Sequence, residues 1–286
     1  VVIGEGERQF VDLLKIHTSE STDEFGVNDL QNGVTFKTDE KVIIKEKTSY
    51  TTRRTIQELG KIDYSPIDFT KFHSADMDNW YNPKNKRIDA AVPIISSRSC
   101  PFSCNFCSIH AVHGPQKTFR YRPSEIVLDE LKYLHFEKGV NYFYVIDDCS
   151  TCNKKKTIEL YSKIANSDLD IMIEFGNGLS IRTLDEEVID CIVEAGMVRG
   201  GLAIESGSEL IRNQVVEKGL KEEKIFEVYE YFRKKHKHVW LVALFILGLP
   251  EETVETLEET ITLIEKLKHI YPVFNTAIPT PGTRLW

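Results

Sequence analysis

No apolar run in this chain is long enough to cross a bilayer; the longest, around Val239–Leu249, has the length of a buried strand. The first residues carry no secretory signal pattern. Excess positive charge is also missing. Lys and Arg number 36 against 44 Asp and Glu, leaving a net charge of −8. That balance argues against a protein that coats nucleic acid or an anionic membrane. Nor is there the apolar poverty of a disordered chain, since 41% of residues are hydrophobic and 10% aromatic. A soluble, cytoplasmic protein with no membrane partner is expected, and nucleic acid carries little weight as a partner.

What is present begins with length. A chain of 286 residues is enough for one large barrel-type domain and a smaller companion. It starts at Val1 with strand-like residues and stops at Trp286 after a Pro/Gly-rich turn. A piece of a longer protein is the expectation.

The six cysteines are grouped rather than scattered. Cys100, Cys104 and Cys107 share one short stretch, Cys149 and Cys152 form a C-x-x-C, and Cys191 stands alone in an apolar helical pattern. A large chain without a secretory signal has little need of disulfide staples, and such close spacings are poor for them. Pro101, Ser103 and Asn105 make the first stretch a loop. Three thiolates on one loop suit a soft-metal site or an iron–sulfur cluster. Zinc is the alternative, with His110 as its fourth ligand. Cys149-x-x-Cys152 reads as a redox pair, half of another metal site, or incidental thiols, the last being favoured; a catalytic thiol at Cys149 stays open.

Residues 88–286 alternate strand-like and helical runs. Strands are predicted at 90–96, 141–146, 171–175, 198–204, 239–247 and 273–278, with helices at Ser124–Glu137, Lys154–Ile164, Leu184–Ala195, Glu222–Lys235 and Thr253–Leu267. This rhythm implies an α/β fold with a parallel sheet, and six units suit a partial barrel. Function is then expected in loops after the strands' C-terminal ends. The cysteine loop, Asp147-Asp148, Asn177-Gly178, Glu205-Ser206-Gly207 and Gly248–Glu251 all fall there. Residues 1–87 read differently: a short strand at Val1–Ile3, a helix, a hairpin within Gly26–Lys47 turning at Asn32-Gly33, and a polar linker.

These residues resemble the radical S-adenosylmethionine (SAM) superfamily. The resemblance rests on C-x-x-x-C-x-x-C at Cys100, Cys104 and Cys107 after the first barrel strand. Val145–Asp148, Gly201–Ser208 and Phe245–Thr253 follow in family order. It covers roughly 88–286 and implies a TIM-like partial (β/α)6 barrel. Val1–Glu7 and the following helix are similar to the end of a Rossmann-like cobalamin-binding domain, so 1–87 is expected to be the tail of such a domain plus hairpin and linker.

The resemblance further implies a [4Fe-4S] cluster on the three cysteines, with one iron left to chelate the methionine moiety of SAM. Reductive cleavage of SAM then yields methionine and a 5′-deoxyadenosyl radical, with an electron donor such as flavodoxin or ferredoxin. It places Phe106 beside the adenine, Asp147 and Asp148 toward the methionine ammonium, Glu205 and Ser206 toward the ribose and methionine groups, and Gly248 where the backbone nears the cofactor. Cobalamin-dependent methyl transfer is the first expectation; a cyclase or rearrangement enzyme, or a methylthiotransferase, are its alternatives, and a zinc-binding structural or interaction module is the other class. The substrate is not implied. Leu244 stands where the family often has glycine, and Ser180 where an arginine is expected.

Overall fold

The computed structural model describes residues 6, 7, 9–11, 35–37, 42–44, 62–72, 88, 90–114 and 119–286. Two short strands, β1 (Thr35–Lys37) and β2 (Val42–Ile44), pair antiparallel with Phe36 opposite Ile43. The expected turn at Asn32-Gly33 and the strand at Val1–Ile3 lie outside the described residues.

Runs rich in β-branched and aromatic residues form the main sheet. Its strands are β3 (Ala91–Ile94), β6 (Tyr142–Val145), β7 (Met172–Leu179), β8 (Met197–Glu205), β9 (Trp240–Leu247) and β10 (Tyr271–Thr276). All pairings are parallel, and spatial order equals chain order from β3 to β10. With right-handed crossovers, that order puts every connecting helix on one side of the sheet. Among the described residues β3 and β10 are its two edges, so six strands make a partial barrel and leave it open. A second, unpredicted pair, β4 (Ser97–Arg98) and β5 (Arg120–Tyr121), is antiparallel and brackets the cysteine loop.

The helices begin where the sequence supplies caps. Following the short α1 (Ile109–His113) come α2 (Ser124–Lys132), continued by a π-helical turn over Tyr133–Glu137, and α3 (Lys154–Ala165), whose Asn153 cap accepts from the Lys156 amide. Next is α4 (Glu186–Glu194), whose Asp185 cap accepts from the Val188 amide and which carries Glu186 and Glu187 in its positive first turn. A π-helical segment over Leu210–Val215 precedes α5 (Glu222–Lys235), and α6 (Val254–Lys266) opens on a capping box between Thr253 and Thr256. Helices α2, α3, α4 and α5 pack in sequence.

Alternation along the strands divides two faces. Phe143, Val145, Ile173 and Phe175 join the helices in the main core, whereas Tyr142, Met172 and Val198 cluster on the other face. There the Tyr142 hydroxyl donates to Glu174 at 2.7 Å and Arg199 pairs with the same carboxylate at 3.3 Å. This polar layer lies toward the strands' N-terminal ends. Farther along, Leu244 fills the hollow left by two glycines. A Cβ on Gly178 or Gly201 would stand 2.9 Å from its Cδ1. At the rim, Gly207 lets the chain after β8 touch α6, because a Cβ there would lie 2.3 Å from the Thr260 Cα. Gly207→Ala is expected to cost about 1–3 kcal/mol, the usual effect of overpacking, read as a lower urea midpoint with an unchanged slope.

Candidate functional site

The cysteine loop leaves β4 at Ser99, whose φ of 77° places it in the left-handed region. Asp148, at the C-terminal end of β6, holds that turn: its Oδ2 accepts the Ser99 amide at 2.7 Å and lies 2.9 Å from His113 Nε2. Arg120 can only donate, and it reaches His113 Nδ1 at 3.0 Å. The histidine proton therefore sits on Nε2, toward Asp148. Farther along, the Asn105 amide donates to the Val216 carbonyl at 3.1 Å, and the Leu285 amide donates to the Asn105 carbonyl at 3.2 Å. Three separate parts of the fold thus fix one loop.

Asp147 points the other way. It is 2% exposed, and its carboxylate accepts from the Ser96 amide at 2.7 Å, the Ser96 hydroxyl at 2.6 Å and the Ser97 hydroxyl. Through these three donors it ties β6 to the start of the cysteine loop. Burial pushes its pKa up to about 6 despite the hydroxyls, which pull it down. The folded state then holds its proton more tightly than the unfolded chain. Stability from this group is present below the ordinary value of 3.8 and is lost as pH rises through about 6. The loss is on the order of 3 kcal/mol. Asp147→Asn should flatten this part of the profile when urea unfolding is followed between about pH 4 and 7.

The sulfurs of Cys100, Cys104 and Cys107 are free and half-buried. Burial pushes all three thiols up, Cys100 to about 11, and neighbouring sulfurs and Asp148 add to it at Cys100 and Cys107. Such thiols ionise when a cation arrives to ligate them. A single tetrahedral zinc would draw its sulfurs to roughly 3.8 Å from one another, given Zn–S near 2.3 Å. Among the described residues, the group of three ligand atoms lying within 4.8 Å of one another is instead Cys100, Cys149 and Cys152. The loop's own triad is not gathered within that distance. His110 donates from Nε2 to the Phe102 carbonyl at 2.7 Å, within the loop, and is not part of the group of ligand atoms that lie within 4.8 Å of one another.

Cys149 and Cys152 are joined by a disulfide, which corrects the expectation that such close spacing disfavours one. Cys191 is buried on α4, 3.4 Å from the Ser162 hydroxyl.

On the opposite side, Glu205 ends β8 with φ of 73° at an irregularity in the β8–β9 register. Lys218 donates to its Oε1 at 2.5 Å, both side chains being no more than 10% exposed. The pair lies by Cys104, where Lys218 favours the thiolate and Glu205 opposes it. Ser206 is turned inward, 1% exposed, accepting the Ser208 amide at 3.2 Å and lying 3.4 Å from the Thr260 hydroxyl. It ties the rim after β8 to α6. Phe106 packs with Cys104 against Ile211, Val216, Ile246 and Leu249. Gly248 has φ of 81° with open space where a side chain would stand, and its amide donates to Glu252 at 2.6 Å.

A cysteine triad at the C-terminal rim of a six-stranded parallel partial barrel is matched by one family. The description "Radical SAM superfamily" fits residues 94–264, more than half of the chain. The chain belongs to the radical SAM superfamily. Membership implies a [4Fe-4S] cluster and SAM, and the loop of three free thiols fits that cluster.

Among similar proteins, an uncharacterised methyltransferase of Pyrococcus horikoshii is 34% identical over 207 residues, 71% of this chain and 44% of that protein. An anaerobic magnesium-protoporphyrin IX monomethyl ester cyclase of Cereibacter sphaeroides is 29% identical over 266 residues, 91% of this chain and 39% of that one. The chain thus spans less than half the length of these relatives. In fold it is similar to the radical SAM methyltransferase TsrM of Kitasatospora setae, with TM-score 0.70 at 17% identity, covering 99% of this chain and 52% of TsrM. This radical SAM site contains two groups that sequence reasoning missed. Lys218 lies in no motif, and only the return of the chain after the π-helical segment brings it to Glu205. Arg182 stacks on Phe102 with its Cζ 3.5 Å from the ring centroid, and its buried Nε has no hydrogen-bond partner. Its charge is opposed by burial and favoured by the Cys104 and Cys100 sulfurs. The shift of arginine from the expected position 180 to 182 was the available signal.

Proposed function

We propose that this chain is the catalytic core of a cobalamin-dependent radical SAM methyltransferase. The observation that carries the reading is a loop of three free thiols at the rim of a barrel related in sequence to a methyltransferase. The fold likeness to TsrM, described with cobalamin and a [4Fe-4S] cluster bound, supports the cofactor assignment. When bound, the cluster supplies the electron for reductive SAM cleavage and an iron for its amino and carboxylate groups.

The chain's own residues hold and shield that chemistry. Cys100, Cys104 and Cys107 ligate the cluster. Asp148, through Ser99 and His113, sets the loop's shape. Phe106 walls the site on the adenine side, and the open space at Gly248 admits the cofactor. Glu205 and Lys218 present a paired charge beside Cys104, and Arg182 offers its free Nε to an anionic group. Residues 1–87 supply the tail of a cobalamin domain and the connection to the barrel. A flavodoxin or ferredoxin is the electron donor, and the location is cytoplasmic; no helix among the described residues is long and apolar enough to cross a membrane. A cyclase is the second reading, favoured by the 91% coverage of this chain in the alignment with the cyclase.

The test is anaerobic reconstitution of the full-length protein with iron, sulfide and cobalamin, followed by reduction with SAM present. Both 5′-deoxyadenosine and S-adenosylhomocysteine are expected, the second marking methyl transfer from SAM. Deoxyadenosine alone would favour the cyclase reading, and neither product from a cluster-loaded protein would overturn both.

A further inference from the structure

The two aspartates after β6 act as a double stitch. Asp147 is bonded to Ser96 and Ser97, and Asp148 to the Ser99 amide. The loop carrying Cys149 and Cys152 is therefore fastened against the start of the cysteine loop. As a result, Cys100, Cys149 and Cys152 bring their sulfurs within 4.8 Å of one another. Two of these sulfurs are joined and the third is free. A thiol held beside a disulfide is the arrangement from which exchange proceeds.

We propose that these three cysteines form a thiol–disulfide exchange site that moves Cys100 between a free thiol and a disulfide. In the exchange, the Cys100 sulfur bonds to Cys149 while the Cys149–Cys152 bond breaks. The electron pair of the broken bond leaves on Cys152, which takes up the proton lost by Cys100. One thiol and one disulfide stand on each side, so no external oxidant or reductant enters. Cys149 is the favoured point of attack, because it is 3% exposed whereas Cys152 is half-buried and its departing sulfur is better solvated. Bound iron traps the form with Cys100 free. Without iron, the exchanged form keeps the Cys100 sulfur from irreversible oxidation to sulfinic acid. The exchange itself is independent of the proposed reaction; only its link to iron rests on Cys100 being a cluster ligand.

The experiment maps disulfides in full-length protein stripped of iron, held without oxygen or reductant for hours, the timescale of uncatalysed rearrangement. Acid quenching, alkylation and fragment-ion mass mapping distinguish Cys100 from Cys104 and Cys107. A Cys100–Cys149 disulfide is expected in the iron-free protein and should be lost after reconstitution with iron and sulfide. In Cys152→Ser, oxidised glutathione should drive formation of Cys100–Cys149 and loss of iron uptake, both reversed by a dithiol. In Cys149→Ser/Cys152→Ser, peroxide should convert Cys100 to the sulfinic acid in iron-free protein, with the wild type spared. A Cys149–Cys152 bond alone in the iron-free protein, with Cys100 free in Cys152→Ser, would overturn the proposal. So would reduced wild-type protein that holds zinc on all three sulfurs and never forms the exchanged bond. If no iron binds at all but the exchanged bond appears, the cluster reading fails and the exchange stands.

Discussion

Replacing Cys104 with alanine should abolish SAM cleavage and strip the reconstituted protein of its iron. The loop offers three thiols, and a four-iron cluster held by three cysteines already has one iron without a protein ligand. Removing one thiol leaves two, and Cys149 and Cys152 are bonded to each other. Partners outside the ligand shell are commonly worth about 10–100-fold in metal affinity, so loss of a ligand itself should exceed that range. Iron content, the brown colour and 5′-deoxyadenosine should vanish together in Cys104→Ala. The fold should survive, because the six-stranded sheet and its core do not depend on the loop. Retention of full iron with normal deoxyadenosine output would remove Cys104 from the ligand set.

Lys218→Met should be the most destabilising single change at the rim. It leaves the Glu205 carboxylate buried beside Cys104 with its ion-pair partner gone. Breaking a buried pair from one side costs about 3–5 kcal/mol, because the remaining charge keeps its desolvation penalty without the compensating attraction. Glu205 cannot easily swing outward, since its backbone is held in the left-handed region at the β8–β9 irregularity. Adding Glu205→Gln removes the orphaned charge, so the double variant should recover most of the loss. Urea unfolding of the two single variants and the double gives the coupling directly. Independent, additive losses would show that the pair is not energetically linked.

Much of this protein was legible from local spacing. Side chains alternating every two residues, or recurring every 3.6, are properties of a strand or helix by itself. The six strands and intervening helices were therefore readable, with shifted ends such as β7, which runs on to Leu179. The C-x-x-x-C-x-x-C loop was readable because its three thiols lie within one short stretch of chain. What needed the tertiary structure was everything decided between segments far apart in sequence. Asp147 and Asp148 are adjacent and chemically alike, yet one is sealed against Ser96 and Ser97 and the other shapes the cysteine loop; only strand pairing sets which way each points. The contact of Ser206 with Thr260 comes from the approach of α6 at Gly207, which no motif records. Lys218 reaches Glu205, and Cys149 and Cys152 reach Cys100, through loop packing that no periodicity records. Short-range sterics and burial period are written along the chain. The partner of a buried charge or thiol is chosen by which loops the sheet brings together.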